Sequence, residues 1–207
     1  MGTHLRRASS ALLLALAAAC GRSPAPQTVP GVLPARAEAS DFSVYELDAP
    51  WRDQDGRART LASLAGRVQV VAMVYTHCTH TCPLIVDDLK RMERALPPAD
   101  RARAGFVLVS LDPSRDTPER LKEWVANARL DRARWTMLTG GEDGVRELAA
   151  LLGIRYRREA GEELSHSNAY LVLDRGGRIV YRHDGWAGDL DEPLARIHDA
   201  AEASAAE

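Results

Sequence analysis

Apolar positions in this chain recur with two different periods. Val68 to Tyr75 (VQVVAMVY) is a nearly unbroken, β-branched run of strand length, which predicts a strand buried on both faces. Phe106 to Leu111 predicts a second buried strand. Leu84, Ile85, Leu89, Met92 and Leu96 recur at helical spacing instead. They predict a helix from Cys82 to Leu96, stopped by Pro97-Pro98. Thr117-Pro118-Glu119 supplies an N-cap, a first-turn proline and an acid near the positive end of the helix dipole, so a helix is expected to about Ala128.

Trp135 to Leu138 reads as a short strand, and Gly144 to Leu152 as a helix closed by Gly153. Ala169 to Asp174 and Arg178 to Arg182 read as strands, and Gly176-Gly177 between them marks a hairpin turn. Leu190 to Ala203 is the last expected helix. Near the start, Phe42 to Leu47 alternates apolar and polar as a half-buried strand would, and Arg57 to Leu64 suits a short strand and turn. Strands and helices alternate early and a hairpin follows late. The expectation is an α/β fold, a mixed β-sheet flanked by helices on both faces, and a thioredoxin-like architecture fits that order.

Residues 1–20 (MGTHLRRASSALLLALAAAC) follow a different logic. Arg6 and Arg7 precede a short apolar run that ends in small residues, the pattern of a secretory signal too short to span a bilayer. Its end, Leu16-Ala17-Ala18-Ala19-Cys20, resembles a bacterial lipobox. Residues 1–19 are then a lipoprotein signal peptide and Cys20 the lipidated residue. The alternative is plain secretion, with Cys20 lying near an ordinary cleavage site. Residues 20–40 are rich in Pro, Ala and Ser without apolar periodicity, and read as a flexible tether. The domain is expected over residues 41–207, in the bacterial cell envelope and facing the periplasm or cell exterior.

Composition narrows the function classes. The net charge is −2, and loss of residues 1–19 removes two arginines and no acid. No basic surplus exists to attract a phosphate backbone, so nucleic acid is not an expected partner. The basic residues read as a solvated surface, and a monomer is expected.

Only three cysteines occur, and two of them, Cys78 and Cys82, sit where a buried strand passes into a helix. Amides and the helix dipole there favour the thiolate, the form that attacks disulfides and binds metals. The spacing is Cys-x-x-x-Cys. Residues four apart on a helix have Cβ atoms about 5–6 Å apart, wider than the roughly 3.5–4.5 Å of a disulfide. The loop therefore suits a bridging metal at least as well as a reversible disulfide. Two thiolates select Cu(I), and a nitrogen ligand would let the site hold Cu(II) as well. His166, in Leu164-Ser165-His166-Ser167-Asn168 just ahead of a strand, is the candidate third ligand. No proline lies between Pro118 and Pro193, so the cis-proline typical of thioredoxin-type reductases is missing, and a histidine stands about where it would be expected.

Three segments carry a family resemblance: Thr76-His77-Cys78-Thr79-His80-Thr81-Cys82-Pro83, Ser110-Leu111-Asp112-Pro113-Ser114-Arg115-Asp116-Thr117-Pro118, and His166 ahead of Tyr170-Leu171-Val172-Leu173-Asp174. Over roughly residues 41–203 the chain resembles the Sco/SenC family. The resemblance implies a thioredoxin fold and copper held by Cys78, Cys82 and His166. It also implies delivery of copper to the binuclear copper site of a cytochrome c oxidase subunit. His80, between the cysteines, is not a usual family feature. Asp112 is expected beside the ligands, orienting a ligand or a partner, with a plain turn residue before Pro113 as the alternative. His77 is expected beside the ligands or facing solvent, and His80 would add a ligand or alter affinity.

Three functions remain open on the sequence. A metallochaperone is the first and is not expected to be a turnover enzyme. A thiol–disulfide oxidoreductase acting on a partner's cysteines is the second; the absent cis-proline and the wide spacing weigh against it. A peroxidase is the third, and no arginine lies close in sequence to the thiol. For Cys78 and Cys82 the plain alternative is a structural disulfide, and for His166 an ordinary hydrogen-bonded loop residue.

Overall fold

The computed structural model describes residues 42–159 and 164–203. The signal peptide, Cys20 and the tether expected at the N-terminus lie outside the described residues. In chain order the strands are β1 (Trp51–Asp53), β2 (Ala58–Arg59), β3 (Val68–Val74), β4 (Ala104–Ser110), β5 (Trp135–Gly140), β6 (Tyr156–Arg158), β7 (Leu164–His166), β8 (Ala169–Leu173) and β9 (Ile179–Asp184). The helices are α1 (Thr81–Ala95), α2 (Pro98–Arg103), α3 (Pro118–Asn127), α4 (Glu142–Leu151) and α5 (Asp191–Glu202).

Seven strands form one mixed sheet in the order β2-β1-β5-β4-β3-β8-β9. β3, β4 and β5 run parallel. β8 lies antiparallel to β3, and β9 antiparallel to β8. Every residue of β3 and β4 is buried, so both faces of the sheet centre are covered, as their unbroken apolar runs require. This is the thioredoxin-like mixed sheet with flanking helices. α1 packs through Cys82, Ile85, Val86, Leu89 and Met92, an i, i+3, i+4 stripe, and the chain turns out of it at Leu96 before Pro97.

Three segments differ from the sequence expectation. Residues 42–47 form no strand: Val44–Glu46 is a single 3-10 turn. The Ser43 hydroxyl accepts from the Tyr45 amide and donates to the Gly176 carbonyl, so a side chain takes the place of a ladder partner. Pro97-Pro98 ends one helix but also starts another, because Pro98 occupies the first turn of α2, where no amide donor is needed. The third is the two-stranded ribbon β6–β7, which stands apart from the main sheet and places His166 on a strand rather than in a loop.

The hairpin between β8 and β9 closes as the glycine pair suggests. Asp174 Oδ1 accepts from the amides of Gly176 and Arg178, both at 2.9 Å, and Gly177 takes φ +85°.

Candidate metal centre

The site follows from strand direction. β3 delivers the chain to its carboxyl end at Val74, where Tyr75 to His80 lead into α1. β8 runs the other way, with Tyr170 opposite Ala72, so the residues that precede β8 arrive beside those that follow β3. Cys78, Cys82 and His166 therefore meet. Their nearest sulfur and nitrogen atoms all lie within 4.8 Å of one another. Cys82 Sγ is 3.8 Å from His166 Nε2. Cys82 is buried, whereas Cys78 and His166 are half-buried on the wall of a cleft of about 310 Å³.

The histidine is oriented from behind. Its Nδ1 is 3.1 Å from the Ser167 carbonyl oxygen, which can only accept, so Nδ1 carries a proton and Nε2 is the nitrogen turned toward the cysteines. The Tyr75 ring meets the imidazole edge-to-face at 5.8 Å between centroids. The Tyr75 hydroxyl donates to the Leu164 carbonyl at 3.1 Å, and burial beside Cys78 pushes that hydroxyl up to about 12.

The two thiols are not equivalent. Cys78 is held far below the usual thiol range, chiefly because Cys82 donates a hydrogen bond to its sulfur. His166 and the amides of Cys82 and His80 add to this against the opposing cost of burial, and the Cys82 amide lies 3.4 Å from the sulfur. Cys82 moves the other way, because ionising it would lose the bond to Cys78 and leave a charge in a buried place. The reduced pair is therefore a half-exposed thiolate beside a buried thiol.

This donor set suits a soft ion. With metal–sulfur bonds near 2.3 Å and metal–nitrogen bonds near 2.0–2.1 Å, borrowed from zinc, a trigonal centre separates sulfur from nitrogen by about 3.8 Å. The separation of Cys82 Sγ from His166 Nε2 matches that figure.

The other expected site residues fall outside the three-atom cluster. His80 is exposed, with Nδ1 3.0 Å from the Thr79 hydroxyl. His77 sits between the Thr76 hydroxyl, at 3.3 Å, and Asp116, at 3.8 Å. Asp112 is fully buried, and its carboxylate is bonded to Ser114, Arg115 and Arg158 rather than to a candidate ligand. Those cations hold the Asp112 carboxyl below the usual range against the cost of burial.

Asp116 is a residue whose importance sequence reasoning missed. Its carboxylate accepts from the Thr76 amide at 3.1 Å, the Thr76 hydroxyl at 2.5 Å and the Ser110 hydroxyl at 2.5 Å. The only sequence signal was a second acid in the turn before α3, which helix capping explained equally well.

Fold and donors together define a thioredoxin-like domain that carries a two-thiol, one-imidazole cluster. The SCO1/SenC family model matches residues 44–202, and the chain belongs to that family. The SCO1 protein homolog of Bacillus subtilis is 26% identical over 145 residues, covering 68% of this chain and 75% of the relative. Two solved structures share the fold. A SCO1/SenC family lipoprotein from Bacillus anthracis superposes with a TM-score of 0.70 at 20% identity, covering 81% of this chain and 100% of its own. Arabidopsis thaliana ScoI, a copper-bound structure, gives 0.63 at 20% identity, covering 73% and 96%.

Proposed function

We propose that this chain is a membrane-tethered, extracytoplasmic copper chaperone that delivers its ion to the binuclear copper site of a cytochrome c oxidase subunit. The observation that carries the reading is the convergence of Cys78, Cys82 and His166 within 4.8 Å. The chemistry of two sulfurs and one imidazole favours copper, as thiolates suit Cu(I) and the added nitrogen accommodates Cu(II). Copper is cargo here, and the half-exposed Cys78 is the sulfur an incoming partner ligand reaches first. The family membership and the copper in the Arabidopsis relative support the assignment.

The tether rests on sequence. Residues 1–19 act as a lipoprotein signal, Cys20 carries the lipid, and residues 20–40 link it to a domain over residues 41–207 in the bacterial envelope. Among the described residues no helix is long and apolar enough to cross a membrane. A SCO1/SenC family protein of Bacillus anthracis with the same fold is a lipoprotein, which supports the lipid anchor.

The test is metal analysis of the reduced protein and an absorption spectrum with Cu(II). About one copper per chain is expected, with a thiolate-to-copper charge-transfer band. That band should vanish in Cys78→Ser and Cys82→Ser and shift in His166→Ala. Retention of full Cu(II) affinity and an unaltered band in His166→Ala would remove His166 from the ligand set.

A thiol–disulfide role is the second reading, and the unequal thiols favour it. The Cys78 thiolate would attack a partner disulfide and release one partner thiolate. Cys82, on losing its proton, would then attack Cys78 sulfur, releasing the second partner thiol and closing the Cys78–Cys82 disulfide. Turnover on disulfide substrates that is insensitive to His166→Ala would favour this reading over copper transfer.

A further inference from the structure

The loop between β4 and α3 supplies none of the three candidate ligands, yet it holds both segments that carry them. From this the geometry points to a role that we propose for its two buried acids: Asp112 and Asp116 are positioning residues that set the separation between the thiols and His166. The metal aspect of the proposal rests on the copper reading above.

The two arms are distinct. Asp116 reaches the cysteine side: Thr76, two residues before Cys78, gives it both the backbone amide and the hydroxyl. Asp112 reaches the histidine side: Arg158 of β6 donates to its Oδ1 at 3.0 Å. Arg158 pairs across the ribbon with Leu164, and Tyr156 pairs with His166, so a fixed Arg158 fixes the strand that presents the imidazole. Arg115, on the wall of the cleft, bonds the other oxygen of Asp112.

The loop itself is braced. The Ser110 hydroxyl donates to Asp116 and accepts from the Asp112 amide, at 2.5 and 2.9 Å. The amides of Arg115 and Asp116 both return to the Asp112 carbonyl, at 3.1 and 2.9 Å. Neither acid can swing without breaking bonds to the other's loop. Both carboxylates are fully buried, where a lost partner is most costly. The ribbon, by contrast, stands off the main sheet and needs such a strap, since a two-stranded ribbon is marginal by itself.

The arms predict separable effects. Arg158→Ala releases the histidine side. We expect the Cu(II) charge-transfer band to shift and Cu(II) to be held about tenfold more weakly, while the thiol–disulfide equilibrium of Cys78 and Cys82 in a glutathione redox buffer moves less than twofold. Arg158→Lys keeps the ion pair and should restore the band. Thr76→Val releases the cysteine side, and should change both the band and the glutathione equilibrium, the latter by more than threefold. Asp116→Asn provides a second variant of that arm should Thr76→Val fold poorly.

A readout free of copper keeps the two proposals apart. The His166 Nε2 nitrogen-15 shift of the reduced, metal-free protein should move in Arg158→Ala and stay near the wild-type value in Arg158→Lys. If wild type takes up no copper, the function reading fails while the nitrogen shift and the glutathione equilibrium still test the strap. The strap is overturned if Arg158→Ala leaves the His166 shift in place, or if it moves the glutathione equilibrium as much as Thr76→Val does.

Discussion

Replacing Cys82 by alanine removes the proton donor that contributes most to holding the Cys78 thiolate. The amides of residues 82 and 80 and the His166 ring remain around the sulfur. A hydrogen bond to an ionised group is worth about 1.5–3 kcal/mol, and one pH unit corresponds to about 1.4 kcal/mol. Cys78 is only half-buried, so solvent screening favours the lower end of that range. The Cys78 midpoint should therefore rise by about 1–2 pH units in Cys82→Ala and still lie below the roughly 8.5 of a free thiol. Thiolate absorbance against pH, checked by the pH dependence of iodoacetamide alkylation, measures it. In wild type, alkylation should fall on Cys78 and not on Cys82. The reasoning is refuted if wild-type Cys78 titrates as an ordinary thiol, or if Cys82→Ala leaves its midpoint unchanged. Linkage gives the matching effect on stability. The folded-state value of Cys78 is depressed, so its contribution is complete above the unfolded thiol value and is lost as pH falls through the folded one. Cys82 is raised, so its contribution is complete below the unfolded value and is lost as pH rises through its folded one. The stability advantage of wild type over Cys78→Ser should accordingly shrink on acidification.

Other perturbations have equally definite outcomes. Tyr75→Phe leaves the buried Leu164 carbonyl without its donor and should cost about 1–3 kcal/mol in urea unfolding; an unchanged midpoint would mean the bond contributes nothing. Gly177→Ala places a Cβ 2.6 Å from Ser43 Oγ and from the Tyr45 ring at φ +85°, so the melting temperature should fall by an amount equivalent to about 1 kcal/mol or more. Leu89→Ala opens a cavity under α1 and should cost about 2–5 kcal/mol by the same unfolding assay. His80→Ala should leave the Cu(II) band where it is, because the ring lies outside the donor cluster; a displaced band would bring His80 into the ligand set.

Much of the fold was legible because its signals are local. The β-branched runs of β3 and β4, the apolar stripe of α1 and the glycine pair after β8 each determine an element without reference to the rest of the chain. The misread segments are those where a distant group decides. Ser43 turns the chain at Val44 because Gly176 stands ready to accept from its hydroxyl, 133 residues away. The β6–β7 ribbon is short, and its tie to the sheet runs through Asp112 and Tyr75, which no local pattern announces.

By itself the sequence singled out the cysteine pair, through its position between a buried strand and a helix, and His166, through the missing proline and the family motifs. Only the tertiary structure decided how these residues meet. Antiparallel pairing of β8 with β3 carries His166 back to the carboxyl end of β3, and hydrogen bonding between the thiols makes Cys78 the ionised partner and Cys82 the protonated one. The physical reason is range. Propensity and periodicity act over a few residues, whereas the separation of a sulfur from a nitrogen 84 residues away is fixed by strand order, register and buried charges.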